Sequence, residues 1–259
     1  MFQRIKGQTI VITGASSGFG KSTAYLYASY GGNLVLFARR IEMLEEIKND
    51  IESKFGVKVH IDKMDVSNKQ EVVECFKRLP AFAEEKIDVL INNAGKALGV
   101  DPVETVDESV IDEVFDTNVK GLVFVTQQVI KKMKERNEGA IVNVGSIAGI
   151  TAYGGGSIYC ASKFALRAIT DSLRIETNST KIRVIEIDPG MVKTDFSLIR
   201  FGGDQTKAEN VYKGADHMVA EDIAEAIVFA TSRHPRCVVS QIVCLANGQA
   251  NPFVLHREE

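Results

Sequence analysis

Tyr159 and Lys163 stand four positions apart in SIYCASK, inside a stretch of helical periodicity. Residues so spaced project from one face of a helix. A phenol beside an ammonium is a proton-transfer pair: the hydroxyl gives or takes the proton, and the cation stabilises the phenolate. A Tyr and a Lys at this spacing are common, mostly as surface pairs, so the pattern alone is weak. Ser146 gives it weight. It follows the apolar run Ala140–Val144, which places it at the carboxyl end of a strand, where open α/β sheets gather ligands. The Gly-rich segment between Ser146 and Tyr159 is long enough to return the chain to the same crevice.

A second constellation lies near the start. The run Thr9–Thr13 leads into GASSGFGKSTA, with Gly14, Gly18 and Gly20 spaced GxxxGxG and Ser16, Ser17 and Phe19 between them. Between a strand and a helix, such glycines let bare backbone approach a pyrophosphate and aim the helix N-terminus at its charge. An ordinary Gly-rich turn is the plainer alternative, and the spacing departs from the GxGxxG of longer dehydrogenases. The next strand-like run ends Phe37, Ala38, Arg39, Arg40. An acid there would accept hydrogen bonds from a ribose 2′-hydroxyl. Ala38 cannot, and the guanidinium forks of Arg39 and Arg40 match a 2′-phosphate. NADP is therefore the expected dinucleotide. Arg40 is equally suited to stacking on the adenine, and either arginine could be a solvated surface charge.

The elements that must position these residues are legible in outline. Short Val- and Ile-rich runs recur at Thr9–Thr13, Leu34–Ala38, Val57–Ile61, Asp88–Ile91, Ala140–Val144, Arg183–Ile187 and Val238–Leu245. Most do not alternate with polar residues, as expected of strands covered on both faces. Helix-period segments lie between them: Gly20–Tyr30, Glu42–Lys54, Lys69–Leu79, Glu108–Lys134, Ser157–Thr177 and Ala220–Thr231. Strand alternating with helix is the βαβ pattern of a doubly wound α/β fold. One domain over 1–259 is expected, a Rossmann fold with a parallel sheet of about seven strands and helices on both faces. Thr194–Met218 breaks the rhythm with a polar, Gly202–Gly203-containing excursion after a strand, the place for a substrate lid.

The 259 residues are 45% hydrophobic and 25% charged with net charge −3, which offers no basic footprint for nucleic acid or an anionic membrane. No apolar run approaches a membrane span, and MFQRIKGQ lacks an apolar h-region, so a signal peptide is not expected. Cys75, Cys160, Cys237 and Cys244 are scattered without a CxxC pair, so reduced thiols, no metal site and a cytoplasmic location are expected.

TGASSGFG, NNAG at Asn92–Gly95, Asn118, Ser146, Tyr159 with Lys163, and the Pro189–Gly190 turn together resemble the short-chain dehydrogenase/reductase family, in order and spacing, from about Thr9 to Leu245. The resemblance implies hydride transfer between a nicotinamide dinucleotide and an alcohol or carbonyl. Tyr159 would donate the proton in reduction and remove it in oxidation. A phenol pKa of about 10 would have to fall by roughly 3 units, about 4 kcal/mol, to act near neutrality; Lys163 and the oxidised nicotinamide are the implied sources. The resemblance also gives Lys163 a bond to the nicotinamide ribose. It has Ser146 orient the substrate oxygen, and Asn118 hold a water that joins Lys163 to solvent. Asp65, with Val66, matches the acid that receives the adenine amino group. Asn92, Ala94 and Gly95 match the border of the adenine ribose. Pro189, Gly190, Val192 and Thr194 match the turn over the nicotinamide and phosphates.

GKALG at 95–99, FDTN at 115–118, GSIAG at 145–149, GGSIYCASKFA at 155–165 and DFSLIRFGGDQTKAENVY resemble the branch of NADP-dependent 3-hydroxy acid dehydrogenases, which includes serine and L-allo-threonine dehydrogenases. That implies a small-molecule substrate such as serine, L-allo-threonine, 3-hydroxyisobutyrate or 3-hydroxypropionate/malonic semialdehyde. The pocket is expected from Ile147, Ala148, Tyr153, Gly154, Gly155, Met191 and the lid, with Arg200 for a substrate carboxylate. Two rival readings stay open: a broad reductase of neutral ketones and aldehydes, and an NADP-binding regulatory protein without turnover. A homodimer or homotetramer is implied, with Val119, Leu122, Val123, Val125, Phe164 and Leu166 as apolar positions beyond one stripe; a deep core explains them equally.

Overall fold

Seven strands form one parallel sheet in a computed structural model that describes residues 2–258. They are β1 (Thr9–Thr13), β2 (Asn33–Ala38), β3 (Val59–Lys63), β4 (Val89–Asn92), β5 (Gly139–Val144), β6 (Ile182–Pro189) and β7 (Gln241–Cys244), in the order β3-β2-β1-β4-β5-β6-β7. The helices are α1 (Gly18–Ser29), α2 (Ile41–Phe55), α3 (Lys69–Lys77), α4 (Ala81–Glu84), α5 (Glu108–Phe115), α6 (Leu122–Arg136), α7 (Ser157–Glu176), α8 (Phe196–Arg200), α9 (Gln205–Asn210) and α10 (Ala220–Thr231). Strand order reverses between β1 and β4, and the crevice at that switch point opens at the strands' carboxyl ends. The absence of polar alternation in β1 has its cause here, since all five of its residues are buried. Ile10 and Ile12 face one core with α1, α2 and α10. Val11 faces the other with α3, α6 and α7.

Two expected elements differ from the structure. The helix read over Glu108–Lys134 is broken by a π-helical turn, Asp116–Gly121. Such a turn re-aims side chains within a helix. Here Asn118 is drawn inward to bond the main chain of Lys96, accepting from its N–H at 2.9 Å and donating to its carbonyl at 2.8 Å. The last strand is only Gln241–Cys244, an edge with alternate residues exposed, whereas the apolar run is twice as long.

Of the apolar positions read as a possible interface, Leu122, Val125 and Leu166 are core residues, while Phe164 is 44% exposed. The excursion after β6 folds into α8 and α9. Its base is closed by a bridge between Val192 and Met218 and by Tyr212, whose hydroxyl bonds Ser197 and the Val192 carbonyl. Among the described residues no helix is long and apolar enough to cross a membrane.

Candidate active site

The turn from β1 to α1 is built for close approach. Gly14 has φ of +65°, and a Cβ on Gly20 would lie 2.4 Å from the Gly14 carbonyl oxygen. Only glycine tolerates both demands. Asn93 ties this turn to β4, donating from Nδ2 to the carbonyls of Thr13 (2.9 Å) and Gly14 (3.2 Å). Ser17 is the N-cap residue of α1, yet its side chain makes no capping bond. It accepts instead from Arg40 at 2.7 Å, and Ser16 accepts from the same guanidinium at 3.0 and 3.2 Å. Arg40 therefore leans over the serines of the turn, and Arg39 sits beside Asp65, whose carboxyl feels its field. Burial pushes the Asp65 carboxyl upward, but the Ser67 hydroxyl and amide outweigh it and hold the group below its ordinary value.

At the other end, β5 and β6 deliver the chemistry. Ser146 leaves β5 and caps a 3-10 turn, Ile147–Gly149, accepting from the Ala148 amide at 3.1 Å. On α7, Lys163 is buried and donates from Nζ to the Val144 carbonyl at 2.7 Å. Its Nζ lies 5.8 Å from the centre of the Tyr159 ring. Asn118 also donates to the Ser162 hydroxyl at 3.0 Å, which ties the π turn to α7. Burial pushes the Lys163 ammonium down to about 8, against the pull of the carboxyl groups on β6, Asp188 foremost.

Tyr159 departs from the expectation of a lowered pKa. Burial drives its hydroxyl well above 10, while a hydrogen bond with Ser146 and the Arg200 cation pull the other way without prevailing. Burial therefore favours the phenol, the form that donates a proton. The ring of Phe196, from α8, lies 5.5 Å from that of Tyr159.

A cleft of about 460 Å³ joins the two ends. Of the expected residues, Gly14, Ser16, Ser17, Gly18, Phe19, Arg39, Arg40, Asp65, Val66, Ala94, Gly95, Ser146, Tyr159, Lys163, Pro189, Gly190, Val192 and Thr194 line it. Gly20 supports the turn from beneath, and Asn118 packs behind Gly95, whose Cβ would meet its Oδ1 at 3.4 Å. Asn92 needs correction. Its side chain is buried below the strand ends, donating to Thr126 and Asn143, and Asn93 takes its place on the cleft wall. Adjacent strand residues face opposite sides, so NNAG alone could not show which asparagine turns outward.

Ile147, Met191 and Arg200 are not in the lining, whereas Phe196 and Ile199 are. Arg200 spans the rim, donating to the carbonyls of Gly99 (3.0 Å) and Gly155 (3.1 Å) and to the Tyr153 hydroxyl (2.9 Å). Lys96, present in the GKALG segment but given no role there, also lines the cleft and pairs with Glu113.

Residues 8–199 match the family model for short chain dehydrogenases. The chain belongs to that family. An NADP-dependent 3-hydroxy acid dehydrogenase of Schizosaccharomyces pombe is 45% identical over 99% of both chains. Sulfoacetaldehyde reductase 2 of Chromohalobacter salexigens is 37% identical over 96% of this chain and 98% of its own. Among solved structures, the closed form of serine dehydrogenase complexed with NADP+ superposes with a TM-score of 0.90 at 34% identity, covering 97% of this chain and all of that one. The family makes this chain an oxidoreductase acting on hydroxyl groups or the carbonyls they become.

Proposed function

We propose that the chain is an NADP-dependent oxidoreductase that transfers a hydride between the cofactor and the 3-hydroxyl carbon of small 3-hydroxy acids. One observation carries the reading: a single cleft holds Ser146, Tyr159 and Lys163 at one end and the Gly14–Gly20 turn with Arg39 and Arg40 at the other. The turn whose Gly14, Ser16, Ser17, Gly18 and Phe19 line the cleft, with Gly20 packed tightly beneath it, fits a pyrophosphate. Ala38 with the two arginines fits a 2′-phosphate. When bound, the nicotinamide supplies or accepts the hydride. Tyr159 donates the proton to the carbonyl oxygen in reduction and takes it back in oxidation. Ser146 orients that oxygen, and the Lys163 cation stabilises the phenolate left behind. Asn118 holds the inner end of this group, and the 194–218 segment covers the substrate.

The named relatives turn over different compounds, yet a 3-hydroxy acid, serine and sulfoacetaldehyde all carry an anionic group close to the reacting carbon. Arg200 is the side chain we assign to it. A guanidinium has five N–H donors. Three are used on Gly99, Tyr153 and Gly155, leaving one on each terminal nitrogen, and the charge reaches the Tyr159 hydroxyl. Charge-assisted bonds contribute about 1.5–3 kcal/mol each. Arg200→Ala is therefore expected to raise KM for an anionic substrate about tenfold or more while leaving kcat/KM for a neutral aldehyde within about threefold. Equal losses on both would remove Arg200 from substrate binding and favour the reading as a reductase of neutral carbonyls.

The pH profile gives a second check. Lys163 loses its proton as pH rises through about 8, and Tyr159 stays protonated beyond that. Reductive kcat/KM should be flat below pH 8 and fall above it. A profile that rises through this range would mean that Lys163 acts uncharged. The assembly we propose is a homodimer or homotetramer, readable by light scattering.

A further inference from the structure

Beneath the site, β6 carries two carboxyl groups that the mechanism above does not use. Asp188 has no solvent exposure and Glu186 has 2%. Two residues apart on a strand, they share the face covered by α7. Isolated buried carboxylates cost several kcal/mol, so what surrounds these two decides their state. Both Asp188 oxygens accept from nitrogen: Oδ1 from the Ser146 amide at 3.0 Å and Oδ2 from Gln241 Nε2 at 2.7 Å. Glu186 is hydrogen-bonded to Asp188. Two ionised carboxylates in contact repel, so the proton belongs on the one without N–H donors. Burial and the Asp188 charge push Glu186 up to about 8. Asp188 is the anion and Glu186 the acid that donates to it.

The placement is tied to the reaction in two ways. The chain between β5 and Ser146 rests directly on Asp188: a Cβ on Gly145 would lie 2.1 Å from its Oδ1. Asp188 is also the foremost charge opposing the burial of Lys163, a part that Glu186 takes up only when it ionises, whereas neither acts strongly on Tyr159. The other charged or titratable groups around the pair are Arg167 and Asp171 on α7, and Cys244 on β7 with Asp222 of α10 beyond it.

We propose that Asp188, backed by Glu186, is a positioning residue: it fixes Ser146 from below and supplies the buried negative charge that keeps Lys163 a cation. The inference rests on the reading of Tyr159 and Lys163 as the proton-transfer pair. Either carboxyl alone can carry the single charge, so the decisive variant removes both.

In Glu186→Gln/Asp188→Asn, Lys163 loses its counter-charge and releases its proton more easily. The alkaline limb of reductive kcat/KM should move from near pH 8 to lower pH by about one unit, a tenfold change in the lysine's ionisation constant. NADPH binding, followed by fluorescence, should stay within about threefold. An unmoved limb overturns the proposal. So does an even loss of rate at every pH, because a merely structural role predicts that result. Should the double variant fail to fold, Asp188→Asn alone serves: Asn keeps an acceptor for the Ser146 amide, and the charge passes to Glu186, which acts less on Lys163 than Asp188 does, so the limb should move down by a fraction of a unit. A limb moved downward then supports the charge role, and one unmoved or moved upward overturns it. Failure of the wild-type protein to oxidise NADPH with any small aldehyde sinks the underlying reading instead, and is seen before any variant is made.

Discussion

Tyr159→Phe is expected to lower kcat for reduction by about 10²–10⁴-fold, the usual contribution of a positioned general acid, with NADPH affinity within about twofold of wild type. The substitution removes one oxygen and keeps the ring that packs against Phe196. Stability should therefore hold, because the packing of the ring is unchanged and Tyr159 is only partly buried at the cleft wall. The mechanism depends on the oxygen alone. Ser146 would still orient the carbonyl and Lys163 would still be charged, but the alkoxide would have no proton within reach. Stopped-flow oxidation of NADPH separates this from a loss of binding. A Phe variant retaining a tenth or more of wild-type kcat would mean that another group supplies the proton.

The second large effect concerns the cofactor. Ala38 ends β2 at the cleft wall, with Arg39 and Arg40 exposed beside it. Arg40 grips Ser16 and Ser17, and Arg39 sits near Asp65. Losing two charge-assisted contacts to a phosphate removes about 3–6 kcal/mol. Part of that is recovered by solvation at an exposed site, so Arg39→Ala/Arg40→Ala should lower kcat/KM for NADP by about 10²-fold while leaving NAD within a few-fold. Adding Ala38→Asp should repel the 2′-phosphate, accept the ribose 2′-hydroxyl and bring NAD level with NADP or above it. Equal losses for NADP and NAD would assign the arginines to the adenine or to solvent. The single substitutions separate their roles: the structure gives Arg40 the serine contacts, so its loss should be the greater.

Much of this site was legible because its motifs fix backbone geometry. The glycine turn, Ser146 after β5 and the Tyr159–Lys163 pair each imply a position relative to a strand end, and strand ends converge at the switch point. Three things were not legible. The π turn at Asp116–Gly121 leaves the hydrophobic period nearly unchanged while rotating Asn118 inward, so it shows only through the bonds Asn118 makes. The choice between Asn92 and Asn93 depends on which side of β4 faces the cleft. The carboxyl pair on β6 sits in a run that reads as an ordinary strand end, and its meaning comes from Ser146 and Lys163, which are distant in sequence. Arg200 was picked out for its chemistry, but its rim contacts to Gly99, Tyr153 and Gly155 are purely tertiary.

The central claim is a charge-selective hydride transfer. Its most direct test is oxidation of 3-hydroxyisobutyrate by NADP+, followed at the nicotinamide absorbance, beside the methyl ester of the same compound. The two share the reacting carbon and differ in the anionic group. The expected kcat/KM is at least tenfold higher for the acid, equivalent to about 1.4 kcal/mol of transition-state binding. Equal rates, or faster oxidation of the ester, would contradict it.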